Sequence, residues 1–367
     1  MSMTLAEPRP DDGPVEREQG ADPERPFQAP RDVVEPGLSP EPEPVSGAGA
    51  AYVAVEHLAI YSTPEVTATD GWADAGGKVL RFHLSRMLAR VAGTVADEDP
   101  EEVHAMRVAA RRVRAAWRVF GNAFERSVVR EQVGRLRVLG DELGAVRDLD
   151  VQLSILEAAR ERGSKRHRAG LAPLVETWST ERAERHDVLV DRLASRWFTA
   201  FVVDHERLVT TPGEAVKPVA THAPSIVRTR APSVIWEAYQ AVRSFEDVVP
   251  EADVATLHEL RIATKWLRYT LEFMREPMEP RASDLIRRVV LLQDHLGDIH
   301  DLHATAARAR ASAQGADVIA GQDTAIDWFA ATADRRVQRL QRRTGPAWRG
   351  VADADFRRGL GRALAGL

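Results

Sequence analysis

Apolar residues recur every three or four positions along most of this chain from about Trp72 onward, which is the period of an amphipathic α-helix. The segment 78–91 (KVLRFHLSRMLARV) spaces four such residues for burial: Leu80, Leu84, Leu88 and Val91. The segment 103–120 (VHAMRVAARRVRAAWRVF) places six on one helix face: Val103, Met106, Ala110, Val113, Trp117 and Phe120. The pattern predicts an all-α protein.

Prolines, glycines and acidic residues predict where the helices begin and end. Pro100, within the acidic segment 97–102 (DEDPEE), starts the helix that contains the segment 103–120. The next helix is predicted over about 127–143, with Gly144 as its C-cap. A further helix follows from Asp148, which we expect to act as its N-cap, and Asp301 is expected to cap a later helix in the same way. The alternative role for both residues is to orient an Arg or His of the neighbouring basic helix.

The pattern continues as two long amphipathic helices over about 150–209. Their expected buried residues are Leu171, Leu174, Trp178 and Leu189. The proline-rich segment 210–231 then has few large apolar residues and is predicted to be a linker. Pro232 is expected to open the next helix.

A stripe of basic side chains lies beside the apolar face of the segment 103–120. Its five members fall within a sector of about 80° on a helix: His104, Arg107, Arg111, Arg114 and Arg118. No acidic residue occurs between Glu102 and Glu125, so nothing within the helix neutralises the stripe. Each like-charged pair on neighbouring turns should disfavour the helix by about 0.2–0.5 kcal/mol. We therefore expect acidic side chains from elsewhere, or an anionic ligand, to compensate.

The basic stripe occurs twice in the chain. The segment 257–273 (LHELRIATKWLRYTLEF) repeats four of its basic positions 154 residues later: His258, Arg261, Lys265 and Arg268. A second block, 143–150 (LGAVRDLD), recurs 153 residues later as 296–303 (LGDIHDLH). Trp266 and Glu272 take the places of Arg112 and Arg118, so the second stripe is shorter.

The repeat predicts two four-helix bundle units, related by a pseudo-twofold axis, that face each other across a basic groove. The predicted units are 72–209 and 232–350, joined by the linker 210–231, with a C-terminal extension over 351–367. The alternative is a plain duplicated bundle whose basic stripes point outward into solvent.

Charge is distributed unevenly along the chain. Residues 1–50 contain ten of the 21 prolines and carry eleven acids against four bases, which predicts a disordered acidic tail. The segment 51–71 is predicted to be a linker or a short docking segment. Since the whole chain has a net charge of −5 and the tail −7, residues 51–367 carry only +2. This balance argues against a general nucleic-acid binder, so anion binding must depend on local charge.

Several classes of site and location are excluded or disfavoured by what the sequence lacks. There are no cysteines, which excludes disulfides, thiolate nucleophiles and Cys-ligated zinc. No apolar run approaches the roughly 18 residues of a membrane span, and the first residues lack a secretory leader pattern. We therefore expect a cytoplasmic protein that does not enter a membrane.

The chemistry that the sequence favours is anion capture, because the arginine fork pairs bidentately with phosphate. Arg137, on the predicted third helix, is a further candidate ligand. The motifs GxxxxGK[ST], GxGxxG, HExxH, GxSxG and ExExK are all missing, so we predict no catalytic residues and no cofactor. The stripe from His104 to Arg118 would extend ~21 Å, which suits an extended polyanion better than a small ion.

A metal site is a weaker interpretation. His295, His300 and His303 supply imidazoles near Asp298 and Asp301. The first copy of the repeat has Arg147 and Asp150 where the second has His300 and His303, so a shared site would lack equivalent ligands. We predict no metal.

Three segments together resemble the paired signatures of the CHAD family, the conserved histidine α-helical domain. They are VHAMRVAARRVR (103–114), LGAVRDLDV (143–151) and LHELRIATKWLRY (257–269), and the likeness covers about residues 72–350. The resemblance implies two four-helix units with a basic central cavity that binds inorganic polyphosphate, in some members at polyphosphate granules. The residues that match by motif are His104, Arg107, Arg111, Arg112, Arg114, His258, Arg261, Lys265 and Arg268.

The chain departs from the family pattern at two places, Trp266 and His300, which makes the second half of the site the weaker one. Many relatives carry a CYTH-type catalytic domain before the helices, whereas a tail rich in proline and glutamate stands there in this sequence. The resemblance therefore carries no catalytic activity over.

The leading hypothesis is a non-catalytic module that binds inorganic polyphosphate and neither specific nucleic acid nor membrane. One alternative is a metal-assisted polyphosphate-processing phosphohydrolase that acts through His300 and His303. Another is a scaffold whose groove holds acidic protein partners or the protein's own tail.

Overall fold

The predicted all-α fold is confirmed. A computed structural model describes residues 62–220, 222–313 and 321–367, and within these ranges the regular structure is helical, with two isolated β-bridges. The α-helices are α1 (Trp72–Leu88), α2 (Val91–Ala96), α3 (Pro100–Phe120), α4 (Arg126–Arg162), α5 (Lys165–Leu193), α6 (Arg196–Thr210), α7 (Val227–Arg243), α8 (Val254–Phe273), α9 (Arg275–Met278), α10 (Ala282–Ala313), α11 (Gln322–Ala352) and α12 (Ala354–Ala365). The predicted tail, 1–50, lies outside the described residues.

The helices pack against one another in the same order twice. In the first half α1 packs on α3, α3 on α4 and α4 on α5, and in the second half α7, α8, α10 and α11 follow the same succession. Helices in equivalent positions also meet, since α3 contacts α8, α4 contacts α10 and α5 contacts α11. This order agrees with two units of one design, while the pseudo-twofold axis between them stays a prediction.

The apolar faces predicted from the sequence form the core. On α3 all six predicted residues are at most 2% exposed: Val103, Met106, Ala110, Val113, Trp117 and Phe120. On α5 the four predicted residues are buried as well: Leu171, Leu174, Trp178 and Leu189. The rings of Phe120 and Phe273 lie 6.1 Å apart, so the core runs from the first half into the second.

The expected break at Gly144 is wrong, because α4 is one helix from Arg126 to Arg162. Asp148 therefore lies in the middle of a helix and caps nothing. Asp301 likewise lies inside α10, so its predicted capping role is also wrong. The reason is packing: Leu143 and Val146 are buried on either side of Gly144, and that burial outweighs the roughly 1 kcal/mol that glycine costs within a helix.

The proline-rich connection between α6 and α7 is fixed by backbone hydrogen bonds to the beginnings of α4 and α1. The amide of Glu125 donates to the carbonyl of Ala215 over 2.7 Å, and the amide of Trp72 donates to that of Ser225 over the same distance. Helix α7 begins at Val227, so Pro232 lies inside that helix and does not open it. No helix within the described ranges combines the length and apolarity that a bilayer span requires.

Two adjacent glycines of α1 test the packing of α1 on α3. A Cβ atom at Gly76 would lie 2.8 Å from the Cβ of Phe120, whereas one at Gly77 would meet nothing within 4 Å. We expect Gly76→Ala to lower the free energy of unfolding by about 1–3 kcal/mol through overpacking. Gly77→Ala should raise it by up to about 1 kcal/mol through helix propensity. Urea unfolding of both variants checks this, and a change of the same sign in both would contradict the close approach.

Candidate functional site

Both basic helices begin at a capped N-terminus. The carboxylate of Asp99 accepts a hydrogen bond from the amide of Glu101 at the start of α3, where Pro100 is the first helical residue. The carboxylate of Asp253 accepts one from the amide of Thr256 at the start of α8. These caps fix the register in which the two stripes are presented.

The two basic helices contact each other through a reciprocal pair of interactions. Arg112 on α3 lies 3.3 Å from the carboxylate of Glu272 on α8. Arg118 on α3 stacks its guanidinium 3.9 Å from the centre of the Trp266 ring on α8. In the sequence repeat, position 112 corresponds to 266 and position 118 to 272. Each contact therefore joins the earlier position on one helix to the later position on the other helix. Such reciprocity is what an isologous contact requires.

Glu272 holds two arginines at once. The Nε atom of Arg268 donates to the Glu272 carboxylate over 2.6 Å, on the other side from Arg112. Burial alone would raise the pKa of Glu272, but the two guanidiniums lower it below its ordinary value. Arg268 is buried and Arg112 nearly so. Glu272, expected from the sequence only to shorten the second stripe, thus joins the two stripes.

A cluster of cations lies beside this junction. Lys265 of α8 is half-buried, and burial together with repulsion from four guanidiniums lowers its pKa to about 8. The four belong to both helices: Arg111, Arg261, Arg114 and Arg118. The structure therefore brings most of the predicted stripe residues into one electrostatic neighbourhood.

Three members of this cluster have no carboxylate partner among the described residues: Arg114, Arg261 and Lys265. The Nε atom of Arg261 is buried and lacks a hydrogen-bond partner within the same part of the chain. A buried, charged hydrogen-bond donor without an acceptor lowers stability unless a ligand or another group supplies the acceptor. Such an arrangement is suited to an anionic ligand.

Helix α4 supplies a further wall of the site. The Oδ1 atom of Asp148 forms an ion pair with the Nη1 atom of Arg107 on α3, at a distance of 2.7 Å. One helical turn before it, Gly144 lacks the side chain that would meet Arg107: a Cβ atom there would lie 3.6 Å from the Nη2 of that arginine. At Gly140 the corresponding distance to the Nη1 of Arg114 is 3.9 Å. The arginines of α3 therefore lie against the face of α4 at ordinary contact distance from these two positions.

A pair of histidines, His258 of α8 and His300 of α10, forms another wall of the site. Their Nδ1 atoms lie 3.2 Å apart. Burial and the neighbouring Arg261 lower the pKa of His300 to about 4, so His300 is uncharged at neutral pH. Within the described residues no group of three or more His, Asp or Glu side chains is arranged to hold a metal ion.

The remaining predicted residues lie at the edges of the site. His104 is half-buried on α3, one turn before Arg107. Arg137 is exposed on α4, on the helix face that carries Gly144 and Asp148. Sequence reasoning missed the role of Glu272 and the stacking of Trp266 on Arg118. The available signal was that both residues depart from the basic pattern of the first stripe.

The CHAD domain family model matches residues 78–310, which is most of the chain, and the chain belongs to that family. Solved structures agree in fold. The structure of PptA from Streptomyces chartreusis is 17% identical, with a TM-score of 0.61 over 76% of this chain and 100% of the other. The CHAD domain from the plant Ricinus communis is 22% identical, with a TM-score of 0.57 over 83% of this chain and 96% of that chain. No protein of curated function matches the sequence.

The depressed pKa of Lys265 predicts that this residue destabilises the fold. Below pH 8 Lys265 is protonated in the folded protein, and its repulsion from the guanidiniums lowers the free energy of unfolding in full. Between pH 8 and the ordinary lysine pKa, folding releases this proton, so the loss of stability becomes smaller as the pH rises. Lys265→Met should therefore raise the free energy of unfolding at pH 7 by about 1–2 kcal/mol, after discounting for partial solvent screening. The gain should diminish at pH 9.5. Denaturant unfolding at both pH values measures it, and a loss of stability at pH 7 would contradict the cluster.

Proposed function

We propose that this protein binds inorganic polyphosphate without hydrolysing it, and that the polymer lies between α3 and α8. The direct ligands in this proposal come from both helices: His104, Arg107, Arg111, Arg114, Arg118, His258, Arg261 and Lys265. Arg137 extends the site along α4. Arg112 and Arg268, which the family resemblance marks as ligands, are engaged by Glu272 and orient the two helices.

One observation carries the proposal. Arg114, Arg261 and Lys265 come from two different helices, lie close enough to depress a lysine pKa, and have no carboxylate partner among the described residues. Proteins place like charges together in this way where an anion is to be bound, and stability is given up for that function. Membership of the CHAD family supports phosphate chains as the anion.

The shape of the cluster favours a chain over a small ion. The stripe on α3 extends over fourteen residues, or ~21 Å, and the shorter stripe on α8 adds cations from a second side. Arginine forks suit successive phosphates, and Lys265 provides a point charge. By analogy with nucleic acids, affinity should fall steeply as salt rises because bound counterions are released.

The proposal is for binding alone. Two carboxylates that contact the stripes within the described residues are engaged by arginines: Asp148 pairs with Arg107, and Glu272 with Arg112 and Arg268. An ion-paired carboxylate is a poor base for activating water. Where polyphosphate is stored as cytoplasmic granules, such a module would localise to them.

The decisive experiment removes two cations that have no carboxylate partner. Arg114→Gln combined with Arg261→Gln should weaken equilibrium binding of long-chain polyphosphate by at least about a hundredfold, since each lost charge-assisted hydrogen bond is worth about 1.5–3 kcal/mol. The slope of log affinity against log salt should fall by about two. Fluorescence anisotropy of labelled polyphosphate over a salt series measures both quantities.

The matched control is Arg196→Gln combined with Arg228→Gln, which makes the same change of charge at exposed positions on α6 and α7. This control should bind as the unaltered protein does. Equal affinity in the two double variants would show that the site is elsewhere. The length of the polymer should be unchanged after incubation with Mg²⁺, and steady phosphate release would contradict binding without hydrolysis.

A further inference from the structure

A second arginine stripe lies on α11, outside the site described above. Six arginines fall within a sector of about 140° on this helix: Arg335, Arg336, Arg339, Arg342, Arg343 and Arg349. No acidic residue occurs from 335 to 352. From first to last the stripe spans fourteen residues, ~21 Å, which is the length of the stripe on α3.

The stripe on α11 is turned to solvent. The opposite face of the helix is buried in the core, through Phe329, Val337 and Trp348 among others. All six arginines except Arg336 are exposed. None of these five exposed arginines forms an ion pair with a described residue, whereas Asp334, at the start of the stripe on α11, pairs with Arg310 of α10. The positive charge therefore faces outward without compensation.

Duplication does not explain this charge. Helix α5 has the equivalent place in the first half, and its exposed charges are of both signs: Glu176, Glu184, Asp187 and Asp191 stand with Lys165, Arg166, Arg168 and Arg185. An uninterrupted arginine stripe therefore belongs to α11 and not to its counterpart. The mutual repulsion of these arginines costs helix stability at each i,i+3 and i,i+4 pair.

We propose that the arginine stripe of α11 is a second polyphosphate-binding surface, which engages chains too long for the site between α3 and α8. This inference rests on the proposed function. A single helix presents a track only about 10 Å wide, which fits one flexible phosphate chain and not the broad face of a duplex or a bilayer. Arginine forks at intervals of one helical turn match a ligand that carries charge along its whole length.

Two separated surfaces make the protein selective for length. A short oligophosphate occupies only the site between α3 and α8. A long chain held there raises the effective concentration of its free portion at α11, so the second contact strengthens binding without altering the first.

The test compares chain lengths in one variant. Arg339→Glu combined with Arg342→Glu should weaken binding of long-chain polyphosphate about tenfold, an avidity loss of ordinary size, and leave tripolyphosphate affinity within about twofold. Arg339→Gln combined with Arg342→Gln should also weaken binding of long-chain polyphosphate, but by less than the two glutamate substitutions do. The matched control is Arg196→Glu combined with Arg228→Glu, for which neither affinity should change. Circular dichroism melting checks that every variant is folded.

The outcomes separate this inference from the function on which it rests. If the unaltered protein binds neither tripolyphosphate nor long chains, the proposed function fails. If both bind and the α11 variant matches the control on long chains, the second surface is wrong. The inference is equally wrong if the variant loses affinity for duplex DNA or for anionic vesicles while long-chain polyphosphate binding is unchanged.

Discussion

Two helices of like charge can lie side by side only if apolar contacts or negatively charged groups hold them together. In this fold the carboxylate of Glu272 is the main such group. Glu272 bridges Arg112 of α3 and Arg268 of α8 on the buried side of the contact. The stacking of Arg118 on Trp266 adds a second link, and the apolar contact of Phe120 with Phe273 a third. Because these links hold the helices together, Arg114, Arg261 and Lys265 can lie close to one another with no carboxylate partner among the described residues. A buried carboxylate of this kind is costly to remove, since two uncompensated charges would remain.

Most of the fold could be predicted from the sequence, because it depends on a strong local signal. The apolar faces of α3 and α5 were readable from their 3.6-residue period, and each predicted residue on them is buried. Helix boundaries were not readable in the same way. Gly144 and Asp148 have the residue types of a helix end, yet α4 continues through them because its apolar face is buried on both sides of the glycine. Local propensity gave way to tertiary packing, as it often does.

The candidate site could be predicted in part. The repeat of His104, Arg107, Arg111 and Arg114 in a second segment located both basic helices, and the structure brings those helices into contact. What the sequence could not show is which charges meet. Glu272 and Trp266 read as departures from the basic pattern, whereas in three dimensions they are the residues that hold the two stripes together. Arg112 and Glu272 are 160 residues apart in the sequence, and a contact at that separation produces no periodic pattern from which a single sequence could predict it.

The central claim is that an anion belongs among the cations between α3 and α8, and the protonation of Lys265 reports on it directly. Burial and the surrounding guanidiniums lower its pKa to about 8. A phosphate chain bound there should reverse that depression and return the Lys265 pKa toward the ordinary lysine value of about 10.4. Nitrogen-15 NMR titration of the Lys265 Nζ atom, with and without saturating long-chain polyphosphate, measures this shift. A rise of a pKa unit or more would agree with the account, and an unchanged pKa in the saturated complex would contradict it.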